Sequence, residues 1–322
     1  MNNGYNQSRD SSSVRNVTVI GAGMIGSSWT ALFLAHGFSV VVHDVADDAE
    51  VRVRRAIEAL KPSLAALGLP VGNLLRNLRF EPDLAAAVAN ADLVQENLPD
   101  RIAFKRKLWP KVELYAPQQA LLLSSSSGIP TKQQAKDMKN PGRLLIGHPM
   151  NPPHLIPLVE VVAQAHAVSG DVERAMAFYR AVGKKPLLLR REVPGFVANR
   201  LQAALFREAL LMVRWGVVTV DELDEVVTNS IGLRWATGGP FLSFHLGGGP
   251  TGFAGFINNF ARGLHLLWLH SRLSLVRFTP SLNEKLLQQV SESFGKLPMA
   301  ELEAERDGRQ LAVLRALEHG QD

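Results

Sequence analysis

The chain has 322 residues, 46% hydrophobic and 20% charged, a balance that buries a sizeable core and excludes a disordered protein. Its zero cysteines exclude disulfides, thiolate metal sites and cysteine nucleophiles. The net charge of +5 comes from basic residues scattered among acids, which argues against nucleic acid, and no apolar run reaches the ~18–20 residues of a membrane-spanning helix.

At ~150 residues per domain, the length suggests two domains. Residues 1–13 are polar and lack the apolar stretch of a signal peptide; they are expected to form a disordered arm, with the cytoplasm as the default compartment. From residue 14, short β-rich runs (14–20, 39–44, 93–96, 120–124, 144–147, 158–162 and 186–189) alternate with helix-period segments (24–36, 49–67, 102–115 and 171–182). That alternation predicts an α/β fold: a doubly wound, mostly parallel sheet with helices on both faces. After Pro194 the strand signal stops. Segments 196–215 and 220–228 read as helices, a glycine-rich stretch from 232 to 255 intervenes, and 283–294 and 301–318 read as helices again. The expected division is an α/β domain over 14–193 and an all-helical domain over 194–322.

The first β run, Val17-Thr18-Val19-Ile20, leads into Gly21-Ala22-Gly23-Met24-Ile25-Gly26, which opens a helix. In that context a G-x-G-x-x-G loop is a dinucleotide-binding fingerprint and makes the first domain Rossmann-type. Gly21 allows the tight turn, Gly23 lets the backbone approach a pyrophosphate, and Gly26 lets helix and strand pack closely. The helix N-terminus supplies N–H donors to the phosphates. Asp44, 23 residues after Gly21, ends the next strand, where a carboxylate accepts from the adenosine ribose hydroxyls and repels a 2′-phosphate. No Arg or Lys follows in Val45-Ala46-Asp47-Asp48, so the expected cofactor is NAD.

Three further segments carry polar residues where a core would exclude them. An apolar run ends in Ser124-Ser125-Ser126-Ser127, the next ends in Gly147-His148-Pro149-Met150-Asn151, and Glu160 sits inside Leu158-Val159-Glu160-Val161-Val162. A lone buried carboxylate is costly unless paired, and His148 is its natural partner. Such a pair can serve as an acid–base dyad, with a purely structural contact the alternative. No metal site is expected.

Gly147-His148-Pro149-Met150-Asn151-Pro152, Leu158-Val159-Glu160-Val161 and Pro194-Gly195-Phe196-Val197-Ala198-Asn199-Arg200 resemble, in that order, the signature of the L-3-hydroxyacyl-CoA dehydrogenase superfamily. The likeness extends to about residue 245 and implies a Rossmann-type domain followed by a helical domain that supplies a homodimer interface. It implies His148 as the general base for the C3 hydroxyl, with Glu160 supporting the imidazole. It implies that Ser127 and Asn199 hydrogen-bond the reacting oxygen and that Asn151 lies beside the nicotinamide ring. Asp100 and Lys105 fall where the family has cofactor-contacting acidic and basic residues, although both also suit the exposed start of a helix.

Within that superfamily, the acyl-CoA enzymes carry a long basic hairpin for which the stretch 44–96 is short. Its Arg52, Arg54 and Arg55 read as a solvated helix face. Arg234, in Gly232-Leu233-Arg234-Trp235-Ala236, stands where CoA-using members have a small residue, and an arginine there can clamp a free carboxylate bidentately. Members acting on free hydroxy acids, the L-carnitine and the lambda-crystallin-like L-gulonate dehydrogenases, look similar at this point. The aromatic segment after it is more like the carnitine enzymes. Trp235, Phe241, Phe244 and Phe253 are candidate walls for a quaternary ammonium, and equally candidates for ordinary core. The resemblance therefore implies an NAD-dependent dehydrogenase of a free L-3-hydroxy acid, L-carnitine first. A 3-hydroxyacyl-CoA or L-gulonate dehydrogenase is the alternative within enzymes. A non-catalytic nucleotide-binding protein is a different class, disfavoured by Ser127, His148, Glu160 and Asn199 occurring together.

Overall fold

In the computed structural model, which describes residues 14–273 and 276–319, eight strands form one sheet. They are β1 (Asn16–Ile20), β2 (Ser39–His43), β3 (Leu78–Phe80), β4 (Leu93–Glu96), β5 (Leu121–Ser124), β6 (Leu144–Pro149), β7 (Leu158–Val162) and β8 (Lys185–Leu188), in the order β3-β2-β1-β4-β5-β6-β7-β8. The first six run parallel, β7 turns antiparallel to β6, and β8 follows β7 in parallel. This is the mostly parallel α/β sheet that the alternating pattern predicts. The disordered arm expected over 1–13 lies outside the described residues.

The strands are mostly apolar because helices cover both faces. Those helices are α1 (Met24–Ala35), α2 (Ala49–Ala66), α3 (Leu84–Val88), α4 (Ile102–Tyr115), α5 (Thr131–Gln134) and α6 (Asp171–Ala181). Leu121, Leu123 and Leu145 enter one core with Trp29, Phe33, Phe178 and Tyr179, while Leu122 and Leu144 enter another with Leu108, Trp109 and Val112. Each fully buried large apolar side chain contributes about 1.5–3 kcal/mol. The chain leaves β1 toward β2 and β3, then returns to β4 on its other side. That reversal opens a crevice at the carboxyl ends of β1 and β4, the place where open α/β sheets bind ligands.

The chain divides into two units, the first ending at Asn199 and the second beginning at Arg200. All regular structure described in the second is helical: most of α7 (Ala198–Arg214), then α8 (Val220–Thr228), α9 (Ile231–Gly247), α10 (Gly252–Leu273), α11 (Pro280–Phe294) and α12 (Met299–His319). A capping box between Thr219 and Glu222 starts α8. The glycine-rich stretch expected to interrupt the helices is itself helical. Gly239, at φ +61°, takes a conformation open to glycine, kinks α9 there, and Pro240 begins its second half. Among the described residues, no helix is long and apolar enough to cross a membrane.

Candidate active site and cofactor cradle

The loop after β1 is held from both sides. Gly21 sits at φ +91° and donates its N–H to the His43 carbonyl at 2.8 Å. Asp44, just past β2, accepts from Ala22 N at 2.6 Å and from Ala46 N at 2.9 Å. A Cβ on Gly21 would come within 3.0 Å of the Asn97 backbone, and one on Gly26 would lie 1.8 Å from the Gly21 carbonyl oxygen. At Gly23 an added Cβ would meet no protein atom within 4 Å, so nothing in the fold itself requires a bare backbone there. The opening beside Gly23 faces the start of α1, which has no side-chain cap and no acid in its first turn. Its unpaired N–H groups and positive dipole end suit a phosphate, and the cradle fits a dinucleotide.

At the far side of the sheet, the turn from β6 into antiparallel β7 places His148 directly opposite Glu160. His148 Nδ1 lies 2.9 Å from Glu160 Oε2, and both residues are buried. The second carboxylate oxygen accepts from Val197 N at 2.9 Å and Ala198 N at 3.0 Å, the amides that enter α7. Burial opposes ionisation of Glu160. The His148 hydrogen bond and the two amides overcome it and hold the carboxyl below the usual range. With a carboxylate at Nδ1, the imidazole carries its proton there and leaves the Nε2 lone pair outward. Nε2 has no hydrogen-bond partner among the described residues.

Sequence reasoning singled out the segment 194–200 but missed that its backbone holds Glu160. Gly195 and Phe196 both adopt positive φ, +74° and +47°, which aims the next two amides at Glu160. Phe196 is buried with Ile146 and Val162, and its ring centre lies 5.5 Å from that of His148. The signal available was the Pro194-Gly195 pair, a turn marker followed by two consecutive amides.

Ser126 and Ser127, after β5, gather on Asp100 of the β4–α4 loop. Ser127 donates to Asp100 Oδ2 through both N and Oγ, each at 2.8 Å, and Asn199 Nδ2 donates to the Ser127 carbonyl at 3.0 Å. The segment 197–199 thus links the His148–Glu160 pair to Ser127. Asp100 is held ionised: its burial is outweighed by the Ser126 and Ser127 hydrogen bonds, with Lys105 adding to them. Lys105 is fully buried, its ammonium 2.8 and 2.9 Å from the two oxygens of Glu96. Asn151 lies at the cradle's mouth, its Nδ2 3.4 Å from Met24 Sδ.

In the second unit, Arg234 and Trp235 stand exposed on the first half of α9, and Arg234 has no acidic partner among the described residues. On the second half, Phe244 stacks on Phe256 at 4.4 Å and Phe241 meets Phe253 at 6.0 Å. Phe253 and Phe256 stack in turn, so three of the four aromatic residues singled out in the sequence join one ladder between α9 and α10. Among the described residues no cluster of metal-ligating side chains occurs.

Fold and site together define a dehydrogenase that works with a dinucleotide. The profile of the 3-hydroxyacyl-CoA dehydrogenase NAD-binding domain matches residues 16–193, and that of the 3-hydroxyacyl-CoA dehydrogenase C-terminal domain matches residues 195–264. The chain belongs to the 3-hydroxyacyl-CoA dehydrogenase family and is an NAD-dependent oxidoreductase. It is 43% identical over 305 residues to an L-carnitine dehydrogenase of Nocardiopsis dassonvillei, covering 95% of this chain and 92% of the relative. It is 39% identical over 316 residues to a 3-hydroxyacyl-CoA dehydrogenase of Gibberella moniliformis, covering 94% of this chain and 95% of the relative. A similar solved structure is that of 5-formyl-3-hydroxy-2-methylpyridine 4-carboxylic acid 5-dehydrogenase, an NAD+-dependent dismutase. It superposes with a TM-score of 0.76 at 30% identity, over 95% of this chain and 99% of that one.

Proposed function

We propose that the protein oxidises the C3 hydroxyl of a free L-3-hydroxy acid, L-carnitine first among them, with His148 as the general base. The observation that carries this reading is the 2.9 Å bond between His148 Nδ1 and Glu160, which leaves Nε2 to take a proton. The ionised carboxylate fixes the tautomer and offsets the positive charge that the imidazole gains. Ser127 and Asn199 are assigned to the reacting oxygen, where their hydrogen bonds steady the charge left as the proton departs. Gly21, Ala22, Gly23, Met24, Ile25 and Gly26 would hold the pyrophosphate of NAD, Asp44 its adenosine ribose, and Asn151 the nicotinamide end. Asp100 borders that space, and Lys105 reaches it only through Asp100. When bound, NAD supplies the hydride acceptor.

The free-acid reading rests on the similarity to L-carnitine dehydrogenases and on Arg234, whose guanidinium has no acidic partner among the described residues and suits a carboxylate. Trp235 and Phe244 are assigned to the remainder of the substrate. A CoA thioester is the second reading, favoured by the relative from Gibberella moniliformis. We place the protein in the cytoplasm as a homodimer. Neither α8 nor α9 has a fully buried residue, while Trp235, Phe241 and Leu246 are exposed, which supports a partner covering this unit. The test is NADH formation from L-carnitine, L-gulonate, L-3-hydroxybutyrate and L-3-hydroxybutyryl-CoA by the parent and by His148→Ala. Turnover of a free acid, falling by about 10²–10⁴-fold in the variant, is expected. Turnover of the thioester alone overturns the substrate class, and full activity in His148→Ala overturns the mechanism.

A further inference from the structure

The loop that joins β6 to β7 offers Asn151 to the cradle, yet most of it is interior. Asn151 is exposed, whereas Pro152, Pro153, His154 and Leu155 are buried. The middle of the loop closes a turn in which Leu155 N and Ile156 N reach the Pro152 carbonyl at 3.1 and 3.0 Å. Its far end is tied to the start of β8, where Lys185 N donates to the Pro157 carbonyl at 2.8 Å. Asn151 is thus the exposed tip of a packed loop. A buried imidazole within such a loop is costly unless its polar atoms are engaged.

His154 is engaged by α1. Ser28 Oγ accepts from His154 N at 3.0 Å and lies 2.9 Å from its Nδ1, and the two residues are 3% and 1% exposed. A hydroxyl is both acceptor and donor, so one serine holds the backbone and the ring of the same residue. Four positions earlier, and so on the same face of α1, Met24 Sδ takes Asn151 Nδ2 at 3.4 Å. Two points on α1, 24 and 28, therefore grip two points on the loop, 151 and 154. A thioether is a weak acceptor and Met24 is exposed, whereas the Ser28 clamp is buried and directional. The helix that carries both grips is the one whose N-terminus faces the phosphate space.

We propose that His154, clamped by Ser28, is a positioning residue that registers Asn151 against the nicotinamide half of the dinucleotide and leaves the adenine half untouched. This rests on the assignment of Asn151 to the nicotinamide end. His148 does not depend on the clamp, because the ladder to β7 pairs it with Glu160. The adenine side does not depend on it either: Gly21 N is held by the His43 carbonyl, and Asp44 by the amides of Ala22 and Ala46. Release of His154 therefore frees the tip of the loop alone.

The test compares two ligands that share the cradle, NADH and ADP-ribose, which lacks the nicotinamide ring, by calorimetric titration of the full chain alongside thermal melting. His154→Ala is expected to raise the NADH Kd at least about fivefold and to hold the ADP-ribose Kd within about twofold. Added to Asn151→Ala, it should weaken NADH by no more than about twofold further, since both act on one contact. His154→Asn, whose side-chain amide puts a hydrogen-bonding atom close to where Nδ1 stood, should restore parental NADH binding. Ser28→Ala breaks the same clamp by loss of a single oxygen and stands in for His154→Ala should that variant not fold. Equal weakening of both ligands overturns the proposal in favour of a general prop beneath the cradle, and unchanged NADH binding in a folded His154→Ala overturns it outright. An Asn151→Ala variant that binds NADH like the parent overturns the placement of Asn151 at the nicotinamide and the proposal with it. An Asn151→Ala variant that separates the two ligands, beside a His154→Ala variant that does not, overturns the clamp alone.

Discussion

Replacing Glu160 by glutamine tests the active-site chemistry with almost no change of shape. The carboxylate accepts three hydrogen bonds, two of them from backbone amides that can only donate. Those amides keep the glutamine oxygen, so the new NH2 turns to His148 Nδ1. Two donors cannot share a bond, and the imidazole must move its proton to Nε2, the atom that the proposed mechanism has receive the hydroxyl proton. Loss of the correct tautomer and of the supporting charge is expected to lower kcat by about 10³–10⁴-fold, about 4–5.5 kcal/mol in the barrier. Three charge-assisted bonds become neutral ones, which costs about 3 kcal/mol of stability. The pH dependence gives a second readout. Glu160 is held below its usual value, so its contribution to stability is complete above about 4.5 and disappears as pH falls through the lowered folded value. Glu160→Gln should lose stability at neutral pH and show a shallower decline in acid. Turnover by NADH formation and urea melts across pH check both effects. A folded Glu160→Gln variant within about threefold of the parent would refute the tautomer argument.

Gly23→Ala should fold with unchanged melting yet bind NADH at least about tenfold more weakly, because its Cβ meets only the ligand's space, whereas Gly26→Ala should fail in both assays. Lys184 is buried, donates to the Ile156 carbonyl at 3.3 Å, and is pushed down to about 7 by burial. Its cost is full below that value, where both states are protonated, and fades as pH rises toward 10.5, where only the unfolded chain still holds the proton. Lys184→Met should therefore stabilise the fold by about 2–4 kcal/mol at pH 6, with the gain shrinking by pH 9 in chemical melts. If Arg234 clamps the substrate carboxylate, Arg234→Ala raises KM at least about tenfold with kcat little changed, and steady-state kinetics on the free acid decide it.

Much of this architecture was legible because the chemistry sits where an apolar run ends. The strands before Gly21, Ser124 and His148 are largely hydrophobic, and a glycine loop after the first and polar residues closing the other two mark the carboxyl edge of the sheet. Glu160 stood out for the same reason, as a charge that an apolar strand tolerates only with a partner. What stayed hidden was set by geometry between segments. Glu96 ends β4 and looks like any strand terminus, and its pairing with Lys105 needs the loop between them to fold back. The left-handed backbone of Phe196 has no residue signature beyond the preceding glycine. β3, α3 and α5 are too short for a period to register. The glycine-rich stretch misled because propensity counts each glycine against a helix, whereas here glycine supplies the kink at 239.

The reversal of β7 has a consequence for how the active site can change over time. His148 and Glu160 face each other because the main-chain ladder pairs them, so their separation is independent of the length of the loop that joins their strands. That loop can lengthen or shorten to suit different substrates while the dyad stays whole. A slip of one position along the ladder would instead send one partner to the opposite face of the sheet. Insertions are thus tolerated between the strands and forbidden within them, so the paired placement of His148 and Glu160 can persist while the loop beside it changes.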